Sequence, residues 1–328
     1  MAASRFRPDN FTLALLGTVA LASLLPASGG VARFFDGLTT AAIALLFFLH
    51  GARLSREAVL AGVTHWRLHL LVFACTFMLF PVLGLVLKPV LLPLVTPALY
   101  TGVLYLCVLP ATVQSAIAFT AMARGNVSAA VCSASASTML GVFITPVLVN
   151  LIVLPGANAG ASLGAIGRIL LQLMLPFVLG HLLRPWIGGV VKKHAAALKY
   201  VDQGSILLVV YTAFSAAVIQ GLWKQVPLSA LAGLLVVCAI ILAAALALSA
   251  WTARKLGFSK EDEITIVFCG SKKSLASGVP MAKVLFAAPQ VGAIILPLML
   301  FHQIQLIACA MIARHYARTA DNRTADKG

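Results

Sequence analysis

The stretch ITIVFCGSKKSLASGVPMAKVLF (264–286) decides how this chain is read. Its ends are apolar, yet its middle holds Lys272, Lys273, Ser274 and Ser277, followed by Gly278 and Pro280. If the stretch crosses a bilayer, a lysine near its centre costs about 2.5 to 3.5 kcal/mol on insertion scales, so two adjacent lysines require a polar cavity. Gly and Pro loosen the backbone at the same depth, which is tolerated only where the freed groups meet protein, water or a ligand. The pattern is that of a broken helix at a transport site.

The composition supports a bilayer. Of 328 residues, 61% are hydrophobic and 10% charged, against about a quarter charged in a soluble domain. The expected class is an all-α, polytopic membrane protein. A net charge of +15 would suggest nucleic acid if the basic residues clustered on one soluble face. They sit instead in short loops between apolar runs, where the positive-inside rule explains them with the lipid bilayer as the partner. Cys75, Cys107, Cys132, Cys238, Cys269 and Cys309 all fall inside apolar segments without paired spacing and read as packing residues, so they do not report a redox compartment. The first apolar run, 11–27, follows Arg5 and Arg7 like a signal peptide; its length and its counterpart in the second half favour a retained helix.

With about 20 apolar residues per crossing, ten spans are expected, near 11–28, 35–53, 67–87, 97–122, 127–154, 166–185, 201–221, 228–253, 263–286 and 290–313. With the N-terminus inside, only Arg33, Lys88, Arg168, Lys224 and Lys283 fall on the outer side. Arg5, Arg7, Arg56, the Lys192–Lys193 pair, Arg323 and Lys327 are among the residues left on the cytoplasmic side. This asymmetry places both termini in the cytoplasm of a multi-pass inner-membrane protein.

Two five-span halves would run in opposite orientations, so internal similarity is diagnostic. PASGGV (26–31) after span one recurs as PWIGGV (185–190) after span six. Asp36 opens span two and Asp202 span seven, both expected to be solvated or paired with Arg33 and Lys199. CVLPATVQS (107–115) in span four lies over CGSKKSLAS (269–277) in span nine. The chain is therefore divided into a first repeat, 1–158, and a second, inverted repeat with a cytoplasmic tail, 159–328.

Span four is the natural partner of span nine. Pro110 interrupts it, and Thr112, Gln114 and Ser115 follow. Proline removes a donor and frees a carbonyl in the preceding turn, while hydroxyls and an amide oxygen are hard ligands for a sodium ion or a polar substrate. Two broken helices meeting at mid-membrane would pool these groups with Lys272, Lys273, Ser274 and Ser277, and their half-helix N-termini would favour an anion. Span five adds Ser133, Ser135, Ser137 and Thr138, then Thr145-Pro146. Ser133 and Ser137 share a face and are read either as site groups or as small-residue packing. Of the remaining polar residues, His50, Gln172, His181, His302, Gln303 and Gln305, Gln303 is the best site candidate because span ten directly follows the broken helix.

With ten spans in inverted halves, ARGNV (123–127), Ser137-Thr138 with Thr145-Pro146, LLFFLHGARLS (45–55) and FCGSKKSLASGVPM (268–281), the chain resembles the bile acid:sodium symporter superfamily, in particular its SBF-like branch of sodium/bile-acid cotransporters. The resemblance covers nearly the whole chain. It implies a panel domain of spans 1, 2, 6 and 7 and a core domain of spans 3–5 and 8–10, with broken spans four and nine crossing behind the substrate cavity. It implies a secondary transporter of a small organic anion, without an organic cofactor. Members with known sodium sites use a glutamate in span nine, an asparagine or serine in span four, hydroxyls in span five and a glutamine in span three. Carried over, these sodium-ligand positions fall at Gln114 and Ser115, at Ser133 or Ser137, and at Thr76 ahead of Pro81.

The glutamate has no counterpart here. Lys272 and Lys273 occupy the crossing instead, either as a fixed ammonium standing in for sodium or as a titrating group that would couple transport to protons. Both readings count against sodium coupling, while the hydroxyl and amide positions above keep a sodium ion among the ligands the sequence allows. Ser271 beside Lys272, or Ser274 near Lys273, could be taken for a hydrolase dyad, but adjacent helical residues do not face each other and no second motif supplies an oxyanion hole. The chain is not expected to be an enzyme. A membrane regulator that kept the fold and lost its coupling ions is the other alternative. Oligomeric state has no signal in the sequence.

Overall fold

The computed structural model describes residues 10–53, 65–154 and 163–325. Arg5, Arg7, Arg56, Lys327, the end of the LLFFLHGARLS segment and the expected boundary between repeats at 158–159 lie outside the described residues, as do the side chains of Arg168 and Arg323. Among the described residues every regular element is a helix.

The chain begins with α1 (Asn10–Leu24) and α2 (Gly29–Arg53). α3 (Trp66–Ala74) passes through a π-helical turn, Cys75–Leu79, into α4 (Phe80–Val86). A short α5 (Lys88–Leu91) and a 3-10 turn, Leu92–Leu94, lead to α6 (Pro97–Cys107). After a break at 108–113 comes α7 (Gln114–Met122). α8 (Val127–Leu148) ends in a second π-helical turn, Val149–Val153. Then follow α9 (Leu163–Lys193), α10 (Ala195–Ile219), α11 (Leu222–Gln225) and α12 (Leu228–Lys255). α13 (Lys260–Gly270), a break at 271–274, α14 (Leu275–Leu285) and α15 (Ala288–Ala325) complete the order.

Among the described residues, seven helices are long and apolar enough to cross a membrane: Gly29–Arg53, Trp66–Val86, Val127–Val153, Leu171–Lys193, Ala195–Ile219, Leu228–Lys255 and Ala288–Thr319. They fall on the second, third, fifth to eighth and tenth expected spans. At the first, α1 has 15 residues. At the fourth and ninth, two shorter helices replace one long one, which is what a mid-span break produces.

Each broken span has local signals at its helix ends. Pro97 and the Thr96 hydroxyl, which accepts from the Leu99 amide, start α6, a placement proline tolerates because first-turn amides have no helical partner. Ser274 caps α14 by accepting from the Ser277 amide at 3.1 Å. The ARGNV segment joins the two broken spans. Arg124 takes a positive φ of 59°, and the Asn126 side chain caps α8 through the Ala129 amide while donating to Asp262 on α13 at 3.0 Å. The end of the first broken pair is thereby tied to the start of the second.

α2 packs along α9, and α1 and α15 both pack on α10. A Cβ at Gly51 or Gly180 would come within 1.9 Å of the Phe177 or Phe48 carbonyl oxygen, so glycine alone permits the α2–α9 approach. α15 runs against α6, α12 and α14, while α13 is enclosed by α3, α7, α8 and α12. All six cysteines are buried and unbridged. Of the two boundary aspartates, Asp36 is solvent-exposed as expected and accepts from Lys283 at 2.7 Å, whereas Asp202 is largely covered and pairs with Arg53 of the neighbouring α2 rather than with Lys199.

Candidate functional site

The two breaks meet. The Ser274 amide donates to the Pro110 carbonyl at 2.9 Å, and the Tyr105 hydroxyl donates to the Gly278 carbonyl at 2.6 Å. A Cβ at Gly278 would lie 2.5 Å from Leu109, and one at Gly141 would lie 2.5 Å from Pro110, so two glycines let a neighbouring helix and the second break close over the first.

Buried backbone groups need partners, and at this crossing they can be traced. Pro110 has no N–H, and the Ala111 amide is diverted to the Ser137 hydroxyl at 3.0 Å. Tyr105 O and Leu106 O still accept from the Val108 and Leu109 amides, but Cys107 O at the end of α6 and the carbonyls of the break beyond it lack the donors that would continue the helix. Val108 O accepts from the Thr145 hydroxyl at 2.9 Å. Cys107 O and Leu109 O accept from Lys273 Nζ at 2.9 and 2.8 Å. A third carbonyl comes from the π-helical turn. There the Phe80 amide donates five residues back to Cys75 O; the next donor in that register would be residue 81, which is a proline. Thr76 O is left free of a helical donor and accepts from Lys273 Nζ at 2.7 Å.

Lys273 thus donates to three carbonyls, with the Phe80 ring centroid 4.2 Å away. Its own backbone is held by the Gln305 amide, which accepts from Lys273 N–H and donates to Lys273 O, both at 3.0 Å. Lys272 is equally buried, at 0% exposure for both residues, but its Nζ has no hydrogen-bond partner. It lies 3.8 Å from the Phe119 ring centroid, with Phe268 at 5.8 Å and the thiols of Cys269 and Cys309 beside it.

In front of the crossing lies a cavity of about 390 Å³. One wall is the start of α7 and α14, with Thr112, Gln114, Ser115, Ser274 and Ser277, together with Ser135, Thr138 and Met139 from α8 and His302 from α15. The facing wall is Phe11 of α1, His50 and Arg53 of α2, Phe177 of α9, and Lys199, Asp202 and Gln203 of α10. Two half-helices direct their N-terminal amides and positive dipole ends at one space. Arg53 and Lys199 line the space together with Asp202, which pairs with Arg53, so these three side chains leave one net positive charge.

The expected site residues separate into groups. Thr112, Gln114, Ser115, Ser274 and Ser277 line the cavity. Thr112 and Ser115 share a hydrogen bond of 2.7 Å, and Ser274 and Ser277 one of 3.2 Å. Lys272, Lys273 and Thr76 lie behind it; the Thr76 hydroxyl turns back to Val72 O, so this residue offers its carbonyl rather than its side chain. Ser137 holds the first break, whereas Ser133 shares a hydrogen bond with His69 at 2.7 Å. Gln303 accepts from Thr12 of α1 at 2.8 Å; its neighbour Gln305 is the residue that grips the crossing. His50, Arg53, Lys199 and Asp202 were not among the site residues expected from sequence. Their spacing of three along α2 and along α10 places each pair on one face, which was the available signal. Among the described residues no group of three or more His, Cys, Asp or Glu is placed to hold a metal ion.

Comparison with known proteins agrees with this architecture. The model of the SBF-like CPA transporter family matches residues 9–318. An uncharacterised protein of Pseudomonas aeruginosa is 66% identical over 99% of this chain and 98% of its own length. The Escherichia coli protein named "Putative symporter YfeH" is 58% identical over 97% of this chain and 96% of its own. Sodium/bile acid cotransporter 7 of Danio rerio is 26% identical over 93% and 92%.

Proposed function

We propose, for a chain that belongs to the SBF-like CPA transporter family, that it is a secondary carrier of an organic anion working by alternating access. In this reading the chain crosses the cytoplasmic membrane ten times as two inverted five-helix repeats with both termini inside. α1, α2, α9 and α10 form a panel, and the other long helices form a core that carries the crossing. Supporting this are the matched breaks at 108–113 and 271–274 and the seven long apolar helices at the expected positions. The transporter family and its relatives speak against an enzyme.

The observation that carries the proposal is the cavity. It separates the panel from the core, both half-helix N-termini open onto it, and Arg53 and Lys199 stand at its rim. At about 390 Å³ it is of the size that encloses a small organic molecule. The Lys283–Asp36 ion pair joins α14 to α2, on the side assigned to the exterior. This favours a state closed outside and open inside. Sodium is not part of the proposed cycle, because lysines occupy the region where sodium would be held.

The test is uptake into proteoliposomes, with taurocholate as the first probe because bile acid appears in the relatives' names, followed by smaller carboxylates and sulfonates. Accumulation above protein-free vesicles, weakened about tenfold or more in apparent affinity by Arg53→Gln, is the expected result. No flux with any organic anion would favour the non-transporting regulator. Proton coupling has one observation in its favour, the unpartnered Lys272; an acid-outside gradient that drives uptake in wild type but not in Lys272→Met would support it.

A further inference from the structure

We infer that the crossing contains a site for a small monovalent cation and that Lys273 fills it as a tethered ammonium, leaving no room there for a free sodium ion. The ligand class is an alkali cation or a primary ammonium. The inference rests on the carrier reading only for its consequence, which is that this carrier runs without sodium.

Three independent features converge on Lys273 Nζ. The first is donor count. An ammonium has three N–H groups and no acceptor, and three carbonyl oxygens, of Thr76, Cys107 and Leu109, lie 2.7 to 2.9 Å from it. A neutral amine would bring two N–H groups and set its lone pair against the third carbonyl. The second is the origin of these carbonyls. The Thr76 and Cys107 oxygens are orphaned by Pro81 and by Pro110 with Ser137, so two unrelated stretches of backbone were opened to face one point. Without a cation the oxygens would be buried and unpaired. Hard carbonyl oxygens are also ligands that alkali and alkaline-earth cations accept. The third is the Phe80 face, 4.2 Å from Nζ, which attracts a cation and contributes nothing to a neutral amine.

The tether itself is fixed. Gln305 holds both backbone polar groups of Lys273, so the ammonium leaves the cage only if the break is remodelled. Lys272 provides an internal contrast, because no carbonyl converges on its Nζ.

The test is thermal unfolding of the purified full-length protein in NaCl, KCl, NH4Cl, propylammonium chloride and choline chloride at one ionic strength. Lys273→Ala deletes the three side-chain carbons and the nitrogen that propylammonium would replace. Lys273→Met ends one atom short of Nζ and leaves a space the size of ammonium or sodium. The expected result is a lowered melting temperature in both variants. Propylammonium restores it in the first and ammonium or sodium in the second, with saturation and with no effect of choline. Wild type and Lys272→Ala show no cation-specific shift. Folded variants that respond alike to every salt would overturn the inference. Should neither variant be recoverable, a saturable, sodium-specific rise in the wild-type melting temperature overturns it, and identical wild-type curves in sodium and potassium uphold it. Stability is read rather than flux, so a mistaken substrate would leave the result intact.

Discussion

Lys272 and Lys273 are consecutive in the chain and equally buried, yet they occupy opposite kinds of surroundings. Lys273 faces back into the crossing and is held by three backbone carbonyls. Lys272 faces α7 and α15 and meets an aromatic ring and two thiols, with no carbonyl or hydroxyl to accept from it. Both residues lie in the break at 271–274, outside either helix, and their side chains leave it in different directions, so only one of them reaches the carbonyls of the crossing. Burial of a charged residue type therefore says little by itself about what the residue does. The partners decide whether it is a structural cation or a group free to change state.

The largest expected effect separates the two directly. Lys273→Met leaves three buried carbonyls without a donor, and each such group costs about 1 to 3 kcal/mol, so a loss of roughly 3 kcal/mol or more is expected in denaturant unfolding. Lys272→Met removes a charge that no acceptor pairs, and replacing such a group by an apolar one of similar volume is expected to fall within about 1 kcal/mol of wild type or to stabilise. Equal losses at the two positions would erase the distinction.

Next in size is Gln305→Leu. It strips the N–H and the carbonyl of Lys273 of their partners, and a loss of about 2 kcal/mol is expected in the same unfolding measurement. The same substitution at Gln303, whose amide oxygen accepts from Thr12 and holds no backbone group of the crossing, should cost less. The Phe119–Lys272 contact can be measured as a double-mutant cycle. Phe119→Leu and Lys272→Met should couple by about 1 to 2 kcal/mol if a desolvated ammonium rests on the ring. Additive effects would indicate an uncharged Lys272. The smallest effect is expected at Thr145→Val, which removes the donor to Val108 O and should cost about 1 kcal/mol without creating any response to cations.

Much of the architecture could be read from the amino-acid order. The hydropathy of the long helices and the alignment of CVLPATVQS with CGSKKSLAS pointed to one interruption in each of two spans; the first falls at Pro110, whereas the second falls at 271–274, and Gly278 and Pro280, expected to loosen the backbone, lie inside α14. Thr112, Gln114, Ser115, Ser274 and Ser277 were identifiable because polar side chains beside Pro or Gly have few other uses at mid-span. The Lys273 cage was harder to foresee. Its ligands are main-chain oxygens, which every residue carries, and their only trace in sequence is the position of Pro81 and Pro110. The register of the π-helical turn, on which Thr76 O depends, leaves no trace at all. The α2 and α10 wall of the cavity was missed for another reason: His50, Arg53, Lys199 and Asp202 sit near expected span ends, where charged and polar residues are ordinary. Only the packing of α2 beside α10 gives them a common space.

The most direct test of the central claim is a high-resolution cryo-electron microscopy map of the wild-type protein in saturating NaCl, compared with one in choline chloride. The account predicts the same picture in both: side-chain density of Lys273 reaching the carbonyls of Thr76, Cys107 and Leu109, with no separate peak among them. A sodium-dependent peak at those oxygens, with Lys273 turned out of the cage, would contradict it and return sodium to the transport cycle.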